Sequence, residues 1–195
     1  MIKTIDQLLF EYKEYSNIYN KIATEEKNNL LFKIKRGLYE TNKNADPLSL
    51  ANLIVYPSYI SFETALSYYG MIPERVYAIK SATFMKNKIK EFENCFGTFI
   101  YQDINKKAYP YGIDEVEING VRVQIASREK ALLDMISIVS PRNSIKEIKA
   151  LIFDDLRIDE TIFDELNKQK MIKLCELYSS KSLKMLTKFI GEKND

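Results

Sequence analysis

Apolar residues recur at helical spacing at the start of the chain. Ile5, Leu8, Leu9 and Tyr12 share one face of a segment that Thr4 opens as an N-cap, which predicts a short amphipathic helix over 4–13. A second helix follows over 19–27, with a thin apolar face of Tyr19, Ile22 and Ala23 and with Glu25 and Glu26 set against the macrodipole at its end. The period then shortens to two. Residues 30–34 and 38–40 read as short strands joined at Lys35, Arg36 and Gly37, where glycine takes the positive φ of a tight turn. Two small helices and a basic-tipped hairpin outline an abbreviated winged helix over 1–45, closed by a polar linker at 41–45. The hairpin cations suit both DNA and simple solubility, and the pattern alone leaves both readings open.

The remainder, 46–195, alternates between the two periods. Asp46 caps and Pro47 begins a helix carrying Leu48, Leu50, Ala51, Leu53, Ile54 and Val55, which stops before Pro57. Ser61 caps another, with Phe62, Ala65, Leu66 and Tyr69, ended by Gly70. From Arg75 the chain alternates as a strand, 80–90 reads as a connecting loop, and 97–104 is an aromatic-rich strand. Residues 116–118 and 121–125 flank Asn119 and Gly120 as a hairpin, with Val121, Val123 and Ile125 facing inward and Arg122 and Gln124 outward. Helices then run to the end. Ser127 caps 128–139, Ser144 and Glu147 form a capping box, Asp159 starts a third, and 171–178 and 182–190 make two more, the last ended by Gly191. The expected class is α+β: a winged-helix-like unit, then a mixed or antiparallel sheet domain with a C-terminal helical cap.

Composition removes several chemistries. With no histidine among 195 residues, triads that need an imidazole base and His-based metal sites are excluded. Cys95 and Cys175 lie far apart with no CxxC partner, which predicts two buried small apolar groups rather than a zinc site or a disulfide. Six dispersed glycines form no phosphate-cradling loop. The densest acids, Asp154-Asp155 and Asp114-Glu115-Val116-Glu117, read as solvated faces, with Mg2+ chemistry as the sharper alternative. A net charge of +2 leaves any attraction to nucleic acid to local patches. The run Lys80, Lys86, Lys88 and Lys90 is one such patch, partly cancelled by Glu91 and Glu93. No window stays uncharged for eighteen residues and the N-terminus lacks a leader pattern, so a soluble, cytoplasmic chain without a membrane partner is expected. In Arg128-Glu129-Lys130-Ala131-Leu132-Leu133-Asp134, Lys130 and Asp134 stand at i,i+4 and can pair.

Three blocks, Arg36-Gly37-Leu38-Tyr39, the run from Tyr59 to Ile72, and the run from Ser127 to Asp134, resemble in order and spacing the AbiEi family of antitoxins, with the likeness extending over 1–195. The resemblance implies a winged-helix domain that binds inverted repeats in its own promoter, and a second domain that neutralises a nucleotidyltransferase-like toxin used in abortive infection against phage. In this type IV arrangement no stable toxin complex is required, no cofactor is involved, and the chain is not an enzyme. It places DNA-backbone contacts at Lys21, Lys33, Lys35 and Arg36, and antitoxin activity at Tyr59, Ser61, Arg75, Lys80, Thr83, Arg128 and Lys130, with no catalytic or metal-binding residue. The chain departs from a full winged helix in having two helices before the wing. Two acids, Glu25 and Glu26, also fall in the candidate recognition segment, where phosphates repel carboxylates. A stand-alone DNA-binding regulator without a toxin is the alternative.

Overall fold

The computed structural model describes residues 1–192. Thr4 sits where strand β1 (Ile2–Thr4) gives way to helix α1 (Ile5–Glu11). Its hydroxyl accepts the Gln7 amide, and the Gln7 side chain accepts the Thr4 N–H in return, a full capping box. Asn17 caps α2 (Ile18–Lys27) by accepting the Asn20 N–H. Strands β2 (Phe32–Lys35) and β3 (Leu38–Glu40) turn at Gly37, whose φ of +77° and whose closeness to Ile5 both favour a residue without Cβ. β1 pairs antiparallel with β3, Ile2 opposite Glu40, so the small sheet runs β1-β3-β2. Three residues are too few for periodicity to reveal β1, yet it supplies the third strand. Strand, two helices, strand, wing and strand, with the first strand beside the last, make a winged helix that lacks its leading helix. Leu8, Ile22, Leu31 and Tyr39 fill its core.

The larger sheet is built from β4 (Tyr59–Ile60), β5 (Ala78–Thr83), β6 (Lys90–Asn94), β7 (Gly97–Asp103), β8 (Ile113–Ile118) and β9 (Val121–Ala126). Their order among the described residues is β6-β7-β5-β4-β9-β8, with β4 parallel to β9 and β5 parallel to β7, and the other neighbours antiparallel. The sheet is therefore mixed. Two strands were not foreseen: β4 has two residues, and in β6 Lys90, Glu91 and Glu93 disguise an edge on which Phe92 turns inward, edge-on to Tyr101. The expected 80–90 loop shrinks to 84–89, because β5 runs on to Thr83. Both the Lys86 and Asn87 N–H groups donate to Asp103 Oδ2 at 2.7 Å, so this loop is tied down. Val121 is exposed rather than inward, being the first residue after the turn, while Val123 and Ile125 are buried as expected.

Helix α3 (Pro47–Ile54), capped by Asp46, lies on this sheet, and its Asn52 accepts the Gln124 N–H at 2.7 Å beside the short β4. α4 (Phe62–Tyr68) and α5 (Arg128–Ile138) follow. The cap comprises α6 (Ile145–Lys149), which widens into a π-helical stretch over Ala150–Asp155, then α7 (Glu160–Glu165), α8 (Lys168–Cys175) and α9 (Lys181–Glu192). Asn167 caps α8, which begins three residues before the apolar pattern does, and α9 continues through Gly191, which does not end it. Ser144 accepts the Glu147 N–H, but the Glu147 carboxylate reaches Asn143 and leaves the capping box incomplete. Stacked Phe163 and Phe189, with Phe153 edge-on to both, centre the cap. Cys175 is buried as expected, whereas Cys95 is exposed. No described helix is long and apolar enough to cross a membrane.

The two units share a seam. Lys35 Nζ donates to the Leu53 and Ile54 carbonyls at 2.9 and 2.7 Å, groups that α3 itself leaves without intrahelical partners. Asn94 Nδ2 donates to the Ile34 carbonyl, Phe32 meets Phe96 edge-on, and Ile34 and Leu38 belong to the larger core. Tyr101 ties α3 from below, its buried hydroxyl donating to the Ala51 carbonyl at 2.6 Å. Tyr101→Phe strands that carbonyl and is expected to cost about 1–3 kcal/mol, read as a lowered urea midpoint with an unchanged slope.

Candidate functional site

Lys130 and Asp134 lie one turn apart on α5, and both are fully buried. Removing two opposite charges from water is tolerable only if each is hydrogen-bonded to capacity. Lys130 Nζ stands 3.1 Å from Asp134 Oδ1 as an ion pair and donates to Tyr178 Oη at 2.5 Å and to the Ala108 carbonyl at 2.9 Å. Asp134 Oδ1 also accepts the Tyr178 hydroxyl at 2.5 Å, and Oδ2 accepts the hydroxyls of Tyr59 at 2.8 Å and Ser61 at 2.7 Å. The ammonium further lies over the Tyr178 and Tyr59 rings, 4.7 and 5.8 Å from their centroids. A side chain at Gly112, whose φ is +72°, would meet the lysine stem at 3.0 Å, so glycine lets the backbone close over it.

Burial depresses the Lys130 ammonium, and the Asp134 carboxylate only partly offsets this. Burial first, then the Asp134 charge, pushes the Tyr59 and Tyr178 phenols well above the ordinary tyrosine range. Such a cluster can hold elements together but has no opening through which a macromolecule or a substrate reaches its charges. Tyr59, Ser61 and Lys130 are buried in this network, and Thr83 is likewise buried, its hydroxyl donating to the Pro57 carbonyl. Ser61 occupies the N-cap position of α4 but gives no capping hydrogen bond, because its hydroxyl is turned to Asp134. Sequence reasoning singled out Tyr59, Ser61 and Lys130 and noticed the pair with Asp134. It missed Tyr178 and the Ala108 carbonyl, which no local pattern marks.

The other expected antitoxin residues lie outside. Arg75 and Lys80 line an open groove of about 360 Å³ whose floor includes Ile72, Val76 and Met135. Lys80 is paired with Glu63 at 2.7 Å, and Arg75 lies over the ring of Tyr77, which is 85% exposed. A second groove of about 300 Å³ opens beside it, sharing Val76 and Tyr77. Arg128 meets Glu165 of α7 at 3.1 Å, next to the Glu129–Lys170 pair. Burial alone would raise the Glu129 carboxyl, but Lys170 and backbone N–H groups outweigh it and hold it below its ordinary value. Among the described residues no group of three or more His, Cys, Asp and Glu is placed to hold a metal ion.

In the N-terminal unit, Lys33 and Arg36 point to solvent. The other two expected DNA contacts are committed within the protein. Lys35 closes α3 and is depressed by burial, and Lys21 pairs with Glu25 at 2.5 Å and lies over Tyr12 and Tyr15. The acids expected to repel phosphates are turned aside: Glu25 is held by Lys21, and Glu26 is half-buried beside Tyr39.

Removing one charge of the buried pair strands the other. Lys130→Met is expected to destabilise the fold by about 3–5 kcal/mol, and Tyr178→Phe by about 1–3 kcal/mol, measured by chemical denaturation. The folded phenols of Tyr59 and Tyr178 keep their protons at a pH where the unfolded chain ionises at its ordinary value of 10.0. Their contribution is thus complete below that pH and falls as pH rises past it, so Tyr178→Phe should flatten the alkaline loss of stability seen in the parent protein. Compared with known proteins, the chain matches no protein-family model and no curated protein.

Proposed function

We propose that this chain is an AbiEi-type antitoxin: it neutralises a nucleotidyltransferase-like toxin in an abortive-infection, type IV system and represses its own promoter through the N-terminal unit. The observation that carries the reading is the way its three sequence blocks are used. The first forms the wing, at Arg36 to Tyr39, and the second and third meet at one carboxylate, where Tyr59 and Ser61 donate to Asp134 and Lys130 pairs with it. Residues that depend on one another in this way tie the second and third blocks together. The enclosed network supports a framework role, with no catalytic residue assigned to it. The surface that supports neutralisation is the open groove bearing Arg75, Tyr77 and Lys80. The exposed wing cations Lys33 and Arg36, and the aside position of Glu25 and Glu26, support the promoter half.

Co-expression decides the first half. The full chain is expected to restore growth to cells that express the neighbouring nucleotidyltransferase-like gene, and failure to do so ends the antitoxin reading, leaving the stand-alone regulator. Arg75→Ala should weaken rescue without shifting the melting temperature, and Lys80→Ala should weaken it with only the small shift that loss of the Glu63 pair brings. Full-length variants are needed here, since deleting 1–45 would strip Ile34 and Leu38 from the larger core. For DNA, Arg36→Ala is expected to lower the salt slope of binding by about one unit, and an unchanged slope excludes it as a phosphate contact.

A further inference from the structure

α2 presents a single outward stripe: Tyr19, Asn20, Ala23, Thr24 and Lys27 are all exposed, while Ile22 packs inward and Lys21, Glu25 and Glu26 lie half-buried along the flank. The spacing of one, four, five and eight places these five on one face of the helix. None is acidic. We propose that this stripe reads base edges in the DNA major groove, with Asn20 selecting adenine and the methyl groups of Ala23 and Thr24 selecting thymine. The inference deepens the promoter-binding reading above and rests on it.

The side chains have the chemistry required. The Asn20 backbone N–H is taken by Asn17, but its side-chain amide makes no hydrogen bond to any other described residue. One acceptor and two donors therefore face water, the set that pairs bidentately with adenine N6 and N7. The Thr24 hydroxyl is spent on the Asn20 carbonyl at 2.8 Å, which leaves its methyl as the group it offers a base, and Ala23 has only a methyl. Cations stand at both ends of the stripe. Lys27 ends the helix, and at the other end Tyr19 and the wing residue Arg36 line one open cavity of about 450 Å³. Ten residues make a helix about 15 Å long, enough to enter a major groove about 12 Å wide with Lys27 and Arg36 toward the phosphate walls.

The full-length protein is incubated with randomised duplex DNA and the bound sequences are recovered. The expected result is a motif containing adenine and thymine. Asn20→Ala should flatten the preference at one adenine by about 5- to 150-fold while leaving low-salt binding to non-specific duplex unchanged. Asn20→Asp should move that preference to cytosine, whose N4 donates. Thr24→Ser should weaken a thymine preference that Thr24→Val retains. Both positions changed, Asn20 and Thr24, are exposed, and circular dichroism melting checks that the fold persists in all four variants. A motif identical in the parent and both Asn20 variants overturns the assignment of the stripe while leaving promoter binding intact. Absence of any duplex binding at low salt overturns both.

Discussion

The buried pair of Lys130 and Asp134 is the constraint around which the larger domain is arranged. Two charges without access to water demand hydrogen bonds from several directions. Here they come from four parts of the chain: Tyr59 in β4, Ser61 before α4, the Ala108 carbonyl before β8, and Tyr178 after α8. A two-residue strand such as β4 has little to fix it by its own ladder. Its tyrosine hydroxyl, held by Asp134, sets the register that joins β5 to β9. Tyr178 carries the same constraint into the cap, so sheet and helices are cross-braced at one point. Apolar packing supplies the bulk of the stabilisation, but it is tolerant of sliding, and the polar cluster is not.

The seam between the units works on similar terms at smaller scale. Lys35 was expected at a DNA backbone and is found closing α3, which leaves Arg36 and Lys33 as the free cations of the hairpin. One arm of the hairpin thus serves as a strut and its tip as a wing. Because the strut ends on the helix that lies over the main sheet, the N-terminal unit is held in a set orientation to the larger domain.

Most of the helices and the Asn119-Gly120 hairpin could be read from the chain because their signals are local: Thr4, Asp46, Ser127 and Asp159 are caps seen as such in the structure, while Asn17, the cap of α2, went unread. What escaped is long-range. β1 and β4 exist only because a partner strand offers its edge, and β6 hides its inward Phe92 among charges. The buried pair was visible as an i,i+4 spacing, but spacing does not distinguish a surface pair from one enclosed by residues 48 and 75 positions away. For the candidate site the same limit applies. Residue types suggested Lys35 and Lys21 as cations for DNA, and only the fold reveals that α3 carbonyls and Glu25 occupy them.

Lys35 reaches backbone carbonyls, not side chains, and this gives the seam a lopsided mutational tolerance. Leu53 and Ile54 can be replaced by almost any helix-compatible residue without removing the acceptors, since every amino acid brings the same C=O. On the hairpin side no such redundancy exists: shortening or neutralising this one lysine releases both contacts at once. Drift is therefore tolerated by the joint at the exposed Leu53, whereas Ile54 is held by its place in the core and position 35 by the need for a long cation.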